Sequence, residues 1–170
     1  MSLQEIIDEC NKTEGWFGDS QMEFLYPYIK NLKKGSLLVE LGTYHGKSTK
    51  FFRLSNPHIE IITIDLCRRN NKVDVPSHID DDVLLLGNIR QIIGDSSKLG
   101  EDFVGNIDFL FIDADHSYRS VKKDLDAWGG YVTGDIACHD YDKGFPGLMR
   151  AVDEYSKDKI VREGIAIIKI

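Results

Sequence analysis

The chain has 170 residues, of which 42% are hydrophobic and 29% charged, values typical of one globular domain with a substantial core. Acidic residues number 28 against 21 basic ones, and the net charge of −7 argues against a nucleic-acid partner, because phosphate backbones are bound by lysine and arginine. No apolar run approaches the roughly 20 residues that cross a bilayer, and the N-terminus lacks the basic and then apolar pattern of a signal peptide.

The first part of the chain predicts two amphipathic helices, at residues 2–12 and 20–33. Together, residues 1–34 form a helical segment that we expect to pack on a single domain spanning the whole chain. Between the two helices lie Trp16 and Phe17. These two aromatic side chains belong either to the core of the helical layer or to an apolar lip over a binding site.

A buried strand at 37–41 is followed by a glycine turn and a helix from Lys47. Gly42 can adopt backbone angles closed to other residues, and Gly46 allows the chain to pass close to a ligand. Glu40 precedes the turn. An acid there repels phosphates but can accept a hydrogen bond from an ammonium or hydroxyl group, which suits a cationic ligand such as S-adenosylmethionine. In the alternative, Glu40 only caps or pairs within a generic α/β unit.

The second strand, at 59–65, ends at Asp65, nineteen residues after Gly46. An acid at about this distance is well placed to bind both hydroxyls of a ribose. Residues 66–79 are polar and predict a loop, and 79–89 predict a short helix.

A brief third strand at 90–93 leads to Asp95 and Ser96. These residues either cap the helical turn that runs to Phe103 or accept a hydrogen bond from an adenine amine. Both roles remain open, because one residue can cap while its neighbour binds.

The rest of the chain continues the alternation of strands and helices. The predicted elements are a strand at 107–112, a helix at 118–128, a strand at 131–138, a helix at 148–155 and an antiparallel pair at 160–161 and 165–170. In the 118–128 helix, Lys122, Lys123 and Asp124 are expected to face solvent. The pattern predicts a Rossmann-like, doubly wound and mostly parallel sheet of about seven strands, with an antiparallel C-terminal strand and helices on both faces.

Two acidic and histidine-containing segments follow neighbouring strands of this sheet, at 113–116 and 139–142. Ligands of doubly wound sheets bind at the carboxyl ends of the strands, so these segments are expected to meet there. Carboxylate and imidazole ligands brought together in this way suit a divalent cation such as magnesium or manganese, with water in the remaining positions.

The segment E-L-G-T-Y-H-G-K-S-T resembles the first motif of class I S-adenosylmethionine-dependent methyltransferases. The similarity extends from about Trp16 to the C-terminus and is closest to the catechol-type O-methyltransferases and to the bacterial sugar and macrolide O-methyltransferases. F-I-D-A-D-H is similar to the fourth motif of the metal-dependent members, and C-H-D-Y to their second metal-binding pair. The N/D-P-P-Y/F signature of base and glutamine methyltransferases is absent from the sequence.

This resemblance implies that Asp113 binds a metal and adjoins the transferring methyl group, with Asp140 as a second ligand. The catechol type would place the third ligand at Tyr141 and the macrolide type at His139; we choose His139, because tyrosine is a poor magnesium ligand. His116 stands where the catechol family has a lysine that takes the hydroxyl proton, and an imidazole with a pKa of about 6.5 is a reasonable base. Alternatively, His116 only caps the next helix.

The resemblance also implies the residues that contact the cofactor. They are Glu40, Gly42, Thr43, Tyr44, Gly46, Ser48, Asp65, Leu66, Asp95, Ser96 and Asp113. The expected function is O-methylation of a small hydroxylated molecule, assisted by a divalent metal. Two alternatives are a metal-dependent hydroxylase or hydrolase on the same fold and a non-catalytic nucleoside-binding module.

Three cysteines, Cys10, Cys67 and Cys138, lie far apart and form no disulfide or metal-binding pattern, which favours a cytoplasmic protein. No long insertion could serve as a lid. The site is therefore either open or completed by a second subunit of a homo-oligomer.

Overall fold

The computed structural model describes residues 1–66 and 79–170. Cys67 and most of the loop predicted at 66–79 lie outside the described residues. None of the helices in the described ranges has the length and apolar character that a membrane span requires.

Seven strands form one sheet with the order β3-β2-β1-β4-β5-β7-β6. The first five strands in this order are parallel, whereas β7 is antiparallel to both β5 and β6. The strands are β1 (Leu37–Leu41), β2 (Glu60–Asp65), β3 (Ile89–Ile93), β4 (Ile107–Ile112), β5 (Val132–Cys138), β6 (Lys159–Arg162) and β7 (Ile165–Lys169). The predicted fold class is confirmed.

The helices lie where the hydrophobic periodicity predicts them, with one clear difference. They are α1 (Leu3–Cys10), α2 (Asp19–Lys30), α3 (Lys47–Ser55), α4 (Asp81–Leu84), α5 (Ser96–Glu101), α6 (Tyr118–Trp128) and α7 (Pro146–Tyr155). The helix predicted at 79–89 was wrong in extent. Gly87 and Asn88 have φ of +74° and +54°, which no α-helix can accommodate, and Ile89 already belongs to β3.

Helices cover both faces of the sheet, and β4 shows how the sequence builds the two halves of the core. Phe109 and Phe111 face one side, where they join Phe51 of α3 and the apolar residues of α1 and α2. Leu110 lies in the cluster on the other face, which includes Trp128 of α6. Each fully buried side chain of this kind contributes roughly 1.5–3 kcal/mol of transfer free energy, and both faces of β4 are thereby sealed from water.

The sheet order changes direction between β1 and β4, because β2 follows β1 on one side while β4 lies on the other. The loops after these two strands therefore diverge and leave a crevice at their carboxyl ends. This crevice contains the turn after β1 and the Asp113–His116 segment after β4.

Candidate functional site

A cavity of about 760 Å³ opens at the carboxyl ends of β1 to β5, a size typical of small-molecule sites. Most of the predicted site residues line it. They are Gly42, Thr43, Tyr44, Ser48, Asp65, Leu66, Asp95, Ser96, Asp113, His116, His139 and Asp140. The two predicted residues that do not line the cavity are Glu40 and Gly46.

Glu40 is fully buried beneath the turn instead of facing a ligand. Its carboxylate accepts hydrogen bonds from the hydroxyls of Ser48, Thr49 and Thr63, at 2.5, 2.5 and 2.6 Å. Burial raises the pKa of Glu40 to about 7, although the three hydroxyl donors oppose that shift. The expectation of a direct ligand contact is corrected: Glu40 joins β1, β2 and the start of α3, and so supports the turn from below.

The two glycines of the turn each allow another part of the protein to lie close to the backbone, but the neighbouring part differs. Gly42 has φ +94° and lines the cavity, against the backbone of Asp113. Gly46 has φ +86°, and a methyl group on it would lie 2.5 Å from Cγ1 of Ile79. The predicted approach to a ligand is therefore corrected for Gly46, which makes room for packing between protein elements.

Asp65 holds the glycine turn in shape from the end of β2. Its Oδ2 accepts hydrogen bonds from the backbone N–H groups of Thr43 and Tyr44, at 2.8 and 3.1 Å. Tyr44 has a positive φ of +50°, an uncommon conformation for a residue other than glycine. The carboxylate therefore fixes the turn while it also lines the cavity.

Asp95 and Ser96 lie at the start of α5 and line the cavity. Asp95 occupies the N-cap position, where its Oδ1 accepts a hydrogen bond from Ser97 Oγ at 2.8 Å. The Ser96 hydroxyl donates to Oδ1 of Asp124 at 2.6 Å. Asp124 is only 3% exposed, so the prediction that it faces solvent was wrong. Burial raises the pKa of Asp124 to about 6.

Trp16 and Phe17 divide the two roles that the sequence left open. Phe17 is buried and packs edge-on against Phe51 and Phe111, as a core residue does. Trp16 is 79% exposed and stacks on Tyr44 with 5.0 Å between ring centroids. Both line the cavity, so Trp16 provides an aromatic surface at its rim.

Asp113, His139 and Asp140 converge at the floor of the cavity. One ligand-type atom from each lies within 4.8 Å of the others. His139 Nδ1 is 3.2 Å from both Asp113 Oδ1 and Asp140 Oδ2. Asp140 reaches this position with a φ of +57°, in the left-handed region that aspartate tolerates better than most residues.

His116 points toward the same two carboxylates. Its Nε2 lies 3.1 Å from Asp140 Oδ2 and 3.6 Å from Asp113 Oδ1, yet this buried atom forms no directed hydrogen bond. The ring lies against Phe145, with 4.3 Å between centroids. The capping alternative for His116 was wrong, because Ser117 caps α6 by accepting from the N–H of Ser120.

The paired carboxylates change the acidity of both histidines. Asp113 and Asp140 stabilise the imidazolium form of His116 and raise its pKa to about 9. Burial lowers the pKa of His139, but the same two carboxylates outweigh that effect and raise it to about 10. In turn, the histidines lower the pKa of Asp140 although burial opposes this. The expectation of an unperturbed His116 is corrected.

The donor set fits a divalent cation. Two carboxylates and one imidazole nitrogen face each other at less than 5 Å, and Nε2 of His116 lies 3.1 and 3.6 Å from the same two carboxylates. Tyr141, the alternative ligand, is held elsewhere, since its hydroxyl donates to Asp153 at 2.7 Å. The structure therefore brings together the three residues chosen from the sequence.

Several residues of the site could not be identified from motifs. Gln21 of α2 lies 3.0 Å from His139 Nε2, Asp124 lines the cavity, and Glu14 accepts from the hydroxyl of Tyr44. The sequence held one signal for one of these residues. The apolar residues of α6 recur at helical spacing, and Asp124 lies beside the face of the helix that they form.

A family model described as a methyltransferase domain matches residues 39–141, well over half of the chain. No curated protein matches the sequence.

Three solved structures illustrate the similarity of the fold. MycE methyltransferase of the mycinamycin biosynthetic pathway, in complex with Mg, SAH and mycinamycin VI, is 17% identical with a TM-score of 0.69, over 99% of this chain and 54% of MycE. SAH-bound PaMTH1 of Podospora anserina is 16% identical with a TM-score of 0.66, and the match covers 98% of this chain and 86% of PaMTH1. A candidate O-methyltransferase of Klebsiella pneumoniae is 16% identical with a TM-score of 0.70, and the match covers 99% of this chain and 89% of that protein. The chain thus spans about half the length of MycE.

Proposed function

The chain belongs to the methyltransferase-domain family, and on this premise we propose that it transfers the methyl group of S-adenosylmethionine to a hydroxyl oxygen of a small molecule, with the help of a divalent cation. One observation carries the proposal. The Asp113–His139–Asp140 cluster and His116 lie in the same cavity as the glycine turn, Asp65 and Asp95, so a cation and a nucleoside can be held side by side.

The hydrogen-bonding groups and the charge near the glycine turn support the proposal that the cofactor binds at this end of the cavity. Gly42 lines the cavity at the turn, Asp65 would accept hydrogen bonds from ribose hydroxyls, and Asp95 and Ser96 present oxygen acceptors for an amine. The acids that line this cavity outnumber its two lysines, Lys47 and Lys123. A sulfonium cation is favoured in such surroundings, whereas a dinucleotide with its pyrophosphate is not.

Asp113, His139 and Asp140 would hold the cation, as magnesium or manganese. Bound there, it would supply the positive charge that lowers the pKa of a substrate hydroxyl. Asp113 and Asp140, once engaged as ligands, would stabilise the imidazolium of His116 less than they do alone. Nε2 of His116 would then be free to accept the hydroxyl proton at neutral pH.

In the proposed step, an oxygen lone pair attacks the sulfonium methyl group in line. A C–O bond forms while the C–S bond breaks, the electron pair of that bond returns to sulfur, and the proton of the hydroxyl moves to His116 Nε2. The products are a methyl ether and S-adenosylhomocysteine, whose sulfur is neutral. The residues of the chain contribute mainly by orienting the two reactants.

The acceptor end of the cavity favours a ring-containing molecule without negative charge. Trp16 and Phe145 both contribute aromatic surface to the cavity, the former stacked on Tyr44 and the latter against His116. Glu14, Asp115 and Asp140 add negative charge, which would repel phosphorylated or carboxylated acceptors. A sugar or aromatic hydroxyl compound is the class that these groups suit best.

The decisive experiment combines binding with turnover. Calorimetry should detect S-adenosylhomocysteine binding, and a screen of hydroxylated compounds with methyl-labelled S-adenosylmethionine should yield a methylated product that EDTA suppresses. His116→Ala should reduce kcat by about 10²–10⁴-fold while cofactor binding persists. The exposed His58→Ala serves as the matched control. A metal-dependent hydrolase would instead show no nucleoside binding, and a non-catalytic module would bind without turnover.

We further propose that residues 1–170 act as one domain, since α1 and α2 share the core of α3 and Gln21 reaches His139. A cytoplasmic location is supported by Cys10 and Cys138, which are free and buried, with thiol pKa values that burial raises to about 12. We also propose that a second subunit of a homo-oligomer completes the site, and light scattering would test the oligomeric state.

A further inference from the structure

Gln21, on the first turn of α2, reaches across to the histidine at the floor of the cavity. Its Oε1 lies 3.0 Å from Nε2 of His139, although the two residues are 118 positions apart in the sequence. His139 is 2% exposed, and its ring packs near Phe17 and Phe111, with centroids 5.8 and 6.0 Å away. The imidazole therefore has a defined plane and a defined partner at each nitrogen.

The orientation of the Gln21 amide follows from two further contacts. Oε1 accepts a hydrogen bond from the N–H of Gly18 at 2.8 Å, and Nε2 donates to the carbonyl of Glu163 at 3.1 Å. The flipped amide would bring an NH₂ group against the Gly18 N–H and an oxygen against the Glu163 carbonyl, two repulsive pairs. The oxygen must therefore be the atom that faces His139.

An amide oxygen can only accept, so Nε2 of His139 must be the nitrogen that bears a hydrogen and donates to Gln21. In a neutral imidazole the lone pair then belongs to the other nitrogen. That nitrogen, Nδ1, is the one that lies 3.2 Å from both Asp113 and Asp140.

We propose that Gln21 is a positioning residue that fixes the tautomer of His139, so that Nδ1 presents its lone pair to a cation held with Asp113 and Asp140. This role rests on the metal site of the proposed function. A hydrogen bond from the outer nitrogen of a ligating histidine orients the ring and increases its basicity, and its loss typically weakens metal binding about 10–100-fold. The N-terminal helical segment would thereby belong to the metal site.

A purely structural role for Gln21 is the competing explanation. Gln21 also caps the start of α2, because its Oε1 accepts a hydrogen bond from the Gly18 N–H, although the glycine has no side chain to return one. The same N3-to-N-cap contact exists at α1, where Glu5 accepts from the N–H of Ser2 at 2.7 Å, on the exposed surface. Glu5→Met thus removes a comparable cap without any contact to His139.

The experiment compares the wild type with Gln21→Met, Gln21→Glu and Glu5→Met by Mn²⁺ titration and pulsed EPR. Gln21→Met should bind Mn²⁺ about 10–100-fold more weakly and lose the hyperfine coupling of a coordinated imidazole nitrogen. Gln21→Glu keeps an acceptor for Nε2–H, so it should restore the coupling. Glu5→Met should lose stability but retain both the affinity and the coupling.

Two results would overturn the proposal. One would reject only the role of Gln21, and the other would also reject the metal-assisted function. If the wild type binds Mn²⁺ with a nitrogen coupling and Gln21→Met is unchanged in both, only the role of Gln21 is wrong. If the wild type binds no Mn²⁺, the metal-assisted function fails and the role of Gln21 fails with it.

Discussion

Gly42 lies directly against the backbone of Asp113, so that a methyl group on its α-carbon would be 2.0 Å from the carbonyl oxygen of Asp113. The contact joins the turn after β1 to the end of β4, and the Asp113 N–H donates to the carbonyl of Leu41 at 2.8 Å in the same region. The position of a candidate metal ligand therefore depends on the absence of a side chain at Gly42.

Gly42→Ala should destabilise the protein by about 3 kcal/mol or more, because it combines a positive φ with a backbone clash. The control is Gly35→Ala, where φ is +80° but no atom lies within 4 Å of an added methyl group. That variant should cost about 1 kcal/mol, from the positive φ alone. Urea denaturation measures both, and equal losses would contradict the inferred close approach.

Glu40→Ala should lower the free energy of unfolding by about 2–4 kcal/mol, because it leaves three buried hydroxyls without their acceptor. Glu40→Gln keeps one amide oxygen and should cost less. Glu60→Ala, at an exposed position of β2, is the matched control and should lie within about 0.5 kcal/mol of the wild type. A Glu40→Ala protein as stable as the Glu60→Ala protein would show that the buried network contributes nothing.

Asp124 predicts a pH dependence of stability. Burial raises its pKa in the folded protein to about 6, whereas an unfolded aspartate has a pKa of about 4. Between these values the folded state binds more protons than the unfolded state, so stability falls as the pH rises from about 4 to about 6. The loss is complete above that range and amounts to at most about 3 kcal/mol.

Asp124→Asn should abolish this decline, so the variant gains stability relative to the wild type as the pH rises through the same range. Urea denaturation at pH values from 4 to 8 provides the comparison, with the exposed Asp126→Asn as control. A stability difference between Asp124→Asn and the wild type that does not vary with pH would show that Asp124 titrates normally.

The sequence predicted the sheet and the floor of the site because both depend on local patterns. Residues 107–112 are a continuous apolar run, and the acids and histidines that follow β4 and β5 were expected at one edge once the strands were taken as parallel. Glu40 was misassigned because a carboxylate before a glycine turn can face a ligand or turn inward. The choice depends on Thr63, which a neighbouring strand supplies.

Gln21 and Asp124 could not be assigned to the site from the sequence for a related reason. Gln21 follows ordinary helix-capping chemistry, and only the packing of α2 near the end of β5 brings it to His139. Asp124 follows two lysines on an amphipathic helix, and its burial depends on the position of Ser96 after β3. Contacts between segments that are far apart in the sequence leave no periodic pattern in it, so they cannot be predicted from hydrophobic spacing.

The imidazole at His139 predicts which divalent cation the proposed metal site would bind more tightly. Nitrogen ligands favour transition-series cations over magnesium, so the wild type should bind Mn²⁺ more tightly than Mg²⁺. His139→Asp supplies a third carboxylate and should reduce the ratio of Mn²⁺ affinity to Mg²⁺ affinity by about tenfold. Calorimetric titrations of both cations measure it, and His58→Asp is the control for added surface charge. An unchanged ratio in His139→Asp would show that the imidazole is not a ligand.

The two tryptophans of the chain occupy opposite environments. Trp16 is 79% exposed where it stacks on Tyr44, and Trp128 is 2% exposed within the core. Trp16 is therefore a natural fluorophore at the entrance, whose emission should respond when a cofactor or an acceptor enters, while Trp128 adds the emission of a buried indole. Occupancy could then be followed by light alone, without labels and before any acceptor is known.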